Sequence, residues 1–108
     1  MQEIDLETFA RAHAAGAYVL DVREPGEYVS GHVPGAVLMP VGAVADRAAE
    51  LPTDAPIHVI CASGNRSLAV TGALQRAGYD AVSVSGGTSA WRLSGRAVAT
   101  GTGAARSA

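Results

Sequence analysis

The single thiol of the chain, Cys61, heads the segment Cys61-Ala62-Ser63-Gly64-Asn65-Arg66-Ser67. An apolar run, Ile57-His58-Val59-Ile60, precedes it, and a stretch with helical spacing follows. A loop of small residues between a strand and a helix start can curl so that several backbone N–H groups point inward. The helix dipole adds partial positive charge to the same concavity. Arg66 is expected to contribute a full positive charge there. A thiol so placed ionises more readily than an isolated one, and the thiolate is the nucleophilic form. The same bowl suits a small anion such as thiosulfate or sulfite. The plainer alternative is a buried core thiol, the usual fate of a lone cysteine at a strand end. Gly64, Arg66 and the following helix favour the reactive reading, because together they form an activating microenvironment.

The remaining candidates are weaker. Asp21 and Arg23 fall at the end of another apolar run. Arg23 either guides an anion or pairs with Glu27 across the following turn, and the bracing pair is the preferred expectation. Ser63 and Ser67 can add hydroxyl donors to the loop, although Ser67 also suits a helix start. Trp91 is expected in the core or at its rim, where it could wall one side of the pocket around Cys61. His32 reads as a hydrogen-bonding loop residue, His58 as a packed strand residue and His13 as a surface residue. The three are too scattered for a zinc site.

The elements that must hold these residues follow from periodicity and punctuation. Asp5 is placed to cap a helix over Leu6 to about Ala14, with Gly16 ending it. Strands are expected at Tyr18–Leu20, Ala36–Met39, Ile57–Ile60 and Ala81–Val84. Glu24 to Tyr28 begins a short helical turn with Pro25 at its first position. Further helices are expected at Val44–Leu51, Ser67–Ala77 and Ser89–Leu93. Such alternation predicts an α/β fold with a mostly parallel sheet covered on both faces. Ligands in such folds collect at the carboxyl ends of the strands, where Cys61 falls.

Composition narrows the function classes. At 108 residues the chain is one domain, and 48% hydrophobic content is enough for a core. Eight basic against ten acidic residues, with no run of like charge, argue against nucleic acid. One cysteine allows neither an internal disulfide nor a multi-thiolate metal site, and fits a reducing compartment. The N-terminus lacks a basic, then apolar, leader pattern, and no apolar run approaches a membrane span. A soluble, cytoplasmic protein is the expectation.

Four separated pieces give the chain a resemblance. They are Asp21-Val22-Arg23-Glu24 with Glu27-Tyr28; Gly31-His32-Val33-Pro34-Gly35-Ala36; the loop Cys61 to Ser67; and Gly86-Gly87 followed by Trp91 and Gly95. In this order, over roughly residues 3 to 98, the chain resembles a single-domain rhodanese of the thiosulfate sulfurtransferase family. The resemblance implies a rhodanese-like sheet of five strands with helices on both faces. It implies a domain over residues 1–99, and the small-residue composition of 100–108 reads as a flexible tail. It also implies ping-pong chemistry. Cys61 takes sulfane sulfur from a donor such as thiosulfate or a persulfide, and passes it to cyanide, a thiol or a protein acceptor. The amides of Ala62, Ser63, Gly64, Asn65, Arg66 and Ser67 would hold the persulfide, with Asp21, Arg23 and Trp91 in support and no metal or organic cofactor.

Alternatives remain. A sulfur-carrier or redox-sensing module acting on a protein partner is one, since a low-pKa exposed thiol is open to oxidation. A cysteine phosphatase or arsenate reductase is another. Cysteine phosphatases, however, place one residue more between Cys and Arg than this loop does, and no general acid is evident for a phosphate ester. The chain departs from the family pattern at Leu38, where Asn is common, and at Ala97, where Pro is common. The loop also carries no second positive charge beside Arg66, which would make thiosulfate a mediocre donor and favours a protein or glutathione persulfide.

Overall fold

β-Branched and aliphatic residues gather in short runs, and these runs form the sheet. In the computed structural model, which describes residues 2–101, the strands are β1 (Glu3–Ile4), β2 (Tyr18–Asp21), β3 (Val37–Leu38), β4 (Ile57–Ile60) and β5 (Ala81–Val84). Their spatial order is β1-β5-β4-β2-β3, and every pairing is parallel. Parallel neighbours need crossover connections. Helices α1 (Leu6–Ala14), α2 (Pro25–Ser30), α3 (Val44–Arg47), α4 (Asn65–Arg76) and α5 (Gly87–Leu93) accompany the strands, with a 3₁₀ turn on either side of α3. The α/β sheet expected from the sequence is therefore present, and it is wholly parallel.

The central strand explains the placement of the thiol. All four residues of β4 are buried, as a strand covered on both faces requires. Side chains alternate between two cores. Ile57, Val59 and Cys61 pack in one layer with Leu20, Val70 and Leu74, whereas Ile60 packs in the other with Phe9, Val19, Val84 and Trp91. The register sets Asp21 beside Ile60 and Ser83 beside Val59. Cys61 thus leaves the sheet in the middle of its carboxyl edge, with β2 and β5 ending on either side.

Local signals account for most boundaries. Asp5 caps α1 by accepting a hydrogen bond from the Thr8 amide at 2.8 Å. Phe9 on its inner face is fully buried, a burial that stabilises by about 1.5–3 kcal/mol. The strand expected at Ala36–Met39 is only Val37–Leu38, and the helix expected from Ser89 starts at Gly87. Other expectations need larger correction. The helix expected over Val44–Leu51 is α-helical only at 44–47, with 3₁₀ turns at Val41–Ala43 and Ala48–Glu50. The helix expected from Ser67 starts at Asn65, because Gly64 takes a left-handed conformation (φ 116°) and turns the chain into it. The expected strands also omit β1, whose two residues pair with Ser83 and Val84. At the other end, the Ala99 amide bonds to the His32 carbonyl and the Gly101 amide to that of Val29. Of the tail expected at 100–108, residues 102–108 lie outside the described residues. Among the described residues no helix is long and apolar enough to cross a membrane.

Candidate active site

The segment after β4 folds back on the thiol. The Gly64 amide donates to Cys61 Sγ at 3.1 Å, and the Ser67 hydroxyl lies 3.4 Å from the same sulfur. Gly64 itself is left-handed, which carries the chain from this loop into α4. Burial of Cys61 opposes its ionisation. The Ser67 hydroxyl and the amides of Ser67, Gly64 and Ser63 outweigh that effect and hold the thiol below its ordinary value. This is hydrogen bonding to the charged form overcoming desolvation. Cys61 is 1% exposed. The expectation of an exposed thiol is corrected accordingly: the sulfur is enclosed and hydrogen-bonded, which also distinguishes it from an inert core cysteine.

The loop is shaped from beneath by the start of α5. The Thr88 amide bonds to the Cys61 carbonyl at 2.8 Å, and the Ser89 amide to the Ala62 carbonyl at 3.0 Å. Gly87 makes this approach possible, since a Cβ there would stand 2.4 Å from the Cys61 oxygen and 2.7 Å from the Ala62 oxygen. The paired glycines in the sequence mark the domain end and also carry this contact, which periodicity does not disclose.

Charges are arranged differently from expectation. Arg66 does not stand as a free cation over the loop. Its two terminal nitrogens donate to the Glu27 carboxylate at 2.8 and 2.9 Å. That pairing, with the Glu24 amide on the same carboxylate, holds Glu27 down to about 2, and Glu27 in turn raises Arg66. The expected Arg23–Glu27 pair is also corrected. Arg23 instead clasps Asp21 through Nε at 3.0 and 3.2 Å and through Nη2 at 2.8 Å, and the same Nη2 donates to the Gly31 carbonyl at 2.8 Å. Asp21 and Arg23 are two residues apart and both buried, so they satisfy each other inside the protein and leave Glu27 to α4. Arg23 is thus a bracing residue as expected, but through Asp21 and the Gly31 carbonyl in place of Glu27. Beside the loop, a cavity of about 230 Å³ is lined by Ala62, Ser89, Arg92 and the Arg23 and Glu27 side chains.

Trp91 is a core residue, as expected, but it does not stand beside Cys61. It lies in the core layer opposite Cys61, edge-on to Phe9 and His13, and its Nε1 donates to the Ala97 carbonyl at 2.8 Å. His32 is a buried loop residue as expected, with Nδ1 2.8 Å from the Tyr28 carbonyl and its ring stacked on Tyr28. His58 packs near Phe9, and His13, expected on the surface, is half-buried with Nε2 2.8 Å from the Pro34 carbonyl. Among the described residues no three His, Cys, Asp or Glu side chains are grouped to hold a metal. Ser83 is a site residue that the sequence does not single out. It is fully buried in β5, and its hydroxyl lies 2.7 Å from that of Ser67.

The family description "Rhodanese-like domain" matches residues 5–94. The putative sulfur carrier protein YrkF of Bacillus subtilis is 39% identical over 82 residues, covering 74% of this chain and 44% of that protein. The chain thus spans less than half the length of that relative. The thiosulfate sulfurtransferase GlpE of Pseudomonas entomophila is 36% identical over 92 residues, covering 84% of each chain. A rhodanese-related protein from Thermoplasma volcanium superposes with a TM-score of 0.88 at 32% identity, over 94% of this chain and all of the other.

Proposed function

The chain belongs to the rhodanese-like family, and from that premise we propose that it is a thiosulfate sulfurtransferase that carries sulfane sulfur on Cys61. The observation that supports this most directly is the convergence of the Gly64 amide and the Ser67 hydroxyl on the Cys61 sulfur. These groups favour a thiolate at the sheet edge, ready to attack. In the first half-reaction the Cys61 thiolate forms a bond to the outer sulfur of thiosulfate. The donor's S–S bond breaks, and its electron pair leaves with sulfite. The charge now rests on the outer sulfur of the persulfide, facing the amides of 62–67. In the second half-reaction an acceptor such as cyanide or a thiolate attacks that outer sulfur. The persulfide bond breaks, its electron pair returns to Cys61 Sγ, and the transferred sulfur departs on the acceptor. No metal or organic cofactor takes part in either step.

The charges beside the loop narrow the choice of donor. Both terminal nitrogens of Arg66 are engaged by Glu27, so Arg66 itself offers thiosulfate little uncompensated positive charge. We therefore favour a persulfide, small or protein-borne, as the better donor, acting in a reducing, cytoplasmic setting on a domain of residues 1–99. A second reading, a carrier delivering sulfur to a protein partner, draws support from the relative named a putative sulfur carrier.

Intact mass decides the matter. After incubation with thiosulfate the protein should gain one sulfur, about 32 Da, lose it on addition of cyanide, and show no gain as Cys61→Ser. A wild-type protein that gains no sulfur from thiosulfate or from a persulfide donor would refute the proposal. Loading from the persulfide alone would establish the narrower donor.

A further inference from the structure

Ser83 sits on the face of β5 that packs against α4, fully buried. A buried hydroxyl must place its proton somewhere, and the described partner of Ser83 Oγ is Ser67 Oγ at 2.7 Å. Ser67 Oγ also lies 3.0 Å from the Gly64 carbonyl, to which it donates, and 3.4 Å from Cys61 Sγ, which donates to it as the neutral thiol and accepts from it as the thiolate. A serine hydroxyl has one proton and two lone pairs. If Ser83 donates to Ser67, the single proton of Ser67 is committed outward, toward the carbonyl or the sulfur. The Gly64 carbonyl does not depend on it, because it also receives the Leu68 amide at 3.1 Å. The proton can therefore swing to Cys61 without leaving a buried acceptor bare.

We propose that Ser83 is a positioning residue of the sulfur-transfer site, one that turns the Ser67 hydroxyl into a donor for the Cys61 thiolate. The proposal rests on the reading that Cys61 carries the sulfur. Before uptake the chain of donors runs Ser83 to Ser67 to Sγ. After uptake Sγ is a neutral disulfide-type sulfur, the charge sits one bond further out, and the Ser67 proton returns to the Gly64 carbonyl. Discharge expels Sγ as a thiolate again, and the proton swings back to it. A hydroxyl polarised by a second hydroxyl is a better donor than one alone, so Ser83 acts on Cys61 without touching it. Charged groups near the thiol are unaltered by this chain. Arg66 of α4 is held by Glu27 of α2, and Asp21 at the end of β2 is held by Arg23. From β5 and the start of α5 the residues described against the thiol and its loop, Ser83, Gly87, Thr88 and Ser89, are all neutral.

The test is the ultraviolet titration of the one thiolate in the protein, with Cys61→Ser as blank, on Ser83→Ala, Ser67→Ala and the double variant. Ser83→Ala should weaken thiolate ionisation by roughly threefold to tenfold, the scale of one hydrogen bond. The double variant should match Ser67→Ala alone, since Ser83 works through Ser67. Ser83→Thr should restore the midpoint even if its extra methyl lowers the melting temperature. In single-turnover assays Ser83→Ala should slow discharge to cyanide, because Sγ is then a poorer leaving group. Uptake measured well above the midpoint should be equal or faster, since a more basic thiolate is a stronger nucleophile. An unchanged midpoint in Ser83→Ala, or single-variant shifts that add in the double, would overturn the proposal. If the wild type takes up no sulfur from any donor, the functional reading fails, and the titration still decides the role of Ser83.

Discussion

Glu27 holds two elements together through one carboxylate: it accepts from the Glu24 amide at the start of α2 and from both terminal nitrogens of Arg66 in α4. Its folded pKa, about 2 against an ordinary 4.5, lies below the unfolded value. The stability from this tie is thus fully present above about pH 4.5 and is lost as pH falls toward 2. Both side chains are more than a third exposed, so solvent screening keeps the contribution under about 1 kcal/mol. Glu27→Gln should melt slightly lower than wild type at neutral pH, and the gap should close as pH falls toward 2, where the folded carboxylate takes up its proton. The same variant leaves the Arg66 charge uncompensated beside the loop, so KM for thiosulfate should fall about twofold to fivefold. A rise in KM would mean that the ion pair, not the cation, serves the donor. The pairing itself is not legible in the chain, because Glu27 and Arg66 are 39 residues apart and Arg23 stands much closer in sequence. Cys61 and Gly64 are legible, since their relation is local. Ser83 is not, because its contact with Ser67 depends on which face of β5 meets α4.

At the scale of elements, the candidate site depends on how closely α5 approaches the loop after β4. Gly87 is the residue that permits it, at φ 57° and against the Cys61 and Ala62 oxygens. Adding a methyl there meets backbone on two sides, which no rotamer change relieves. Gly87→Ala should therefore destabilise by about 2–4 kcal/mol and lower the sulfur-transfer rate more than tenfold by displacing the carbonyls that set the loop. Gly26→Ala in α2 is the control, since a Cβ there meets nothing within 4 Å. It should be neutral or stabilising by up to about 1 kcal/mol. Chemical denaturation and turnover on both variants check the contrast, and equal losses would remove Gly87 from the site's support. Elements with their own start and stop signals, α1 with Asp5 and β4 between Pro56 and the polar loop, are readable at this scale. The start of α4 and the strand β1 are not. One is set by a left-handed glycine, and the other is two residues with no periodicity, recruited by an open edge of β5.

Across the whole molecule, the buried pair Asp21–Arg23 connects parts of the chain that the sheet alone does not bind. Arg23 reaches from the end of β2 to the Gly31 carbonyl, and the next residue, His32, pairs with Ala99 in an antiparallel bridge. The carboxyl edge of the sheet, the loop after α2 and the segment after α5 are thereby linked through one guanidinium. Both partners are nearly excluded from water, and a buried charge left alone is far more costly than the intact pair is favourable. Asp21→Asn keeps the volume and strands the cation, so it should destabilise by about 3–5 kcal/mol, a large share of the roughly 5–15 kcal/mol typical of a domain. Combining it with Arg23→Met removes the stranded charge, and the double variant should recover much of the loss. Urea unfolding of the four proteins in the cycle measures this directly. Recovery in the double variant identifies the pair as an electrostatic brace for the site. A double variant as unstable as Asp21→Asn would instead assign the loss to the Gly31 contact and the loop it anchors.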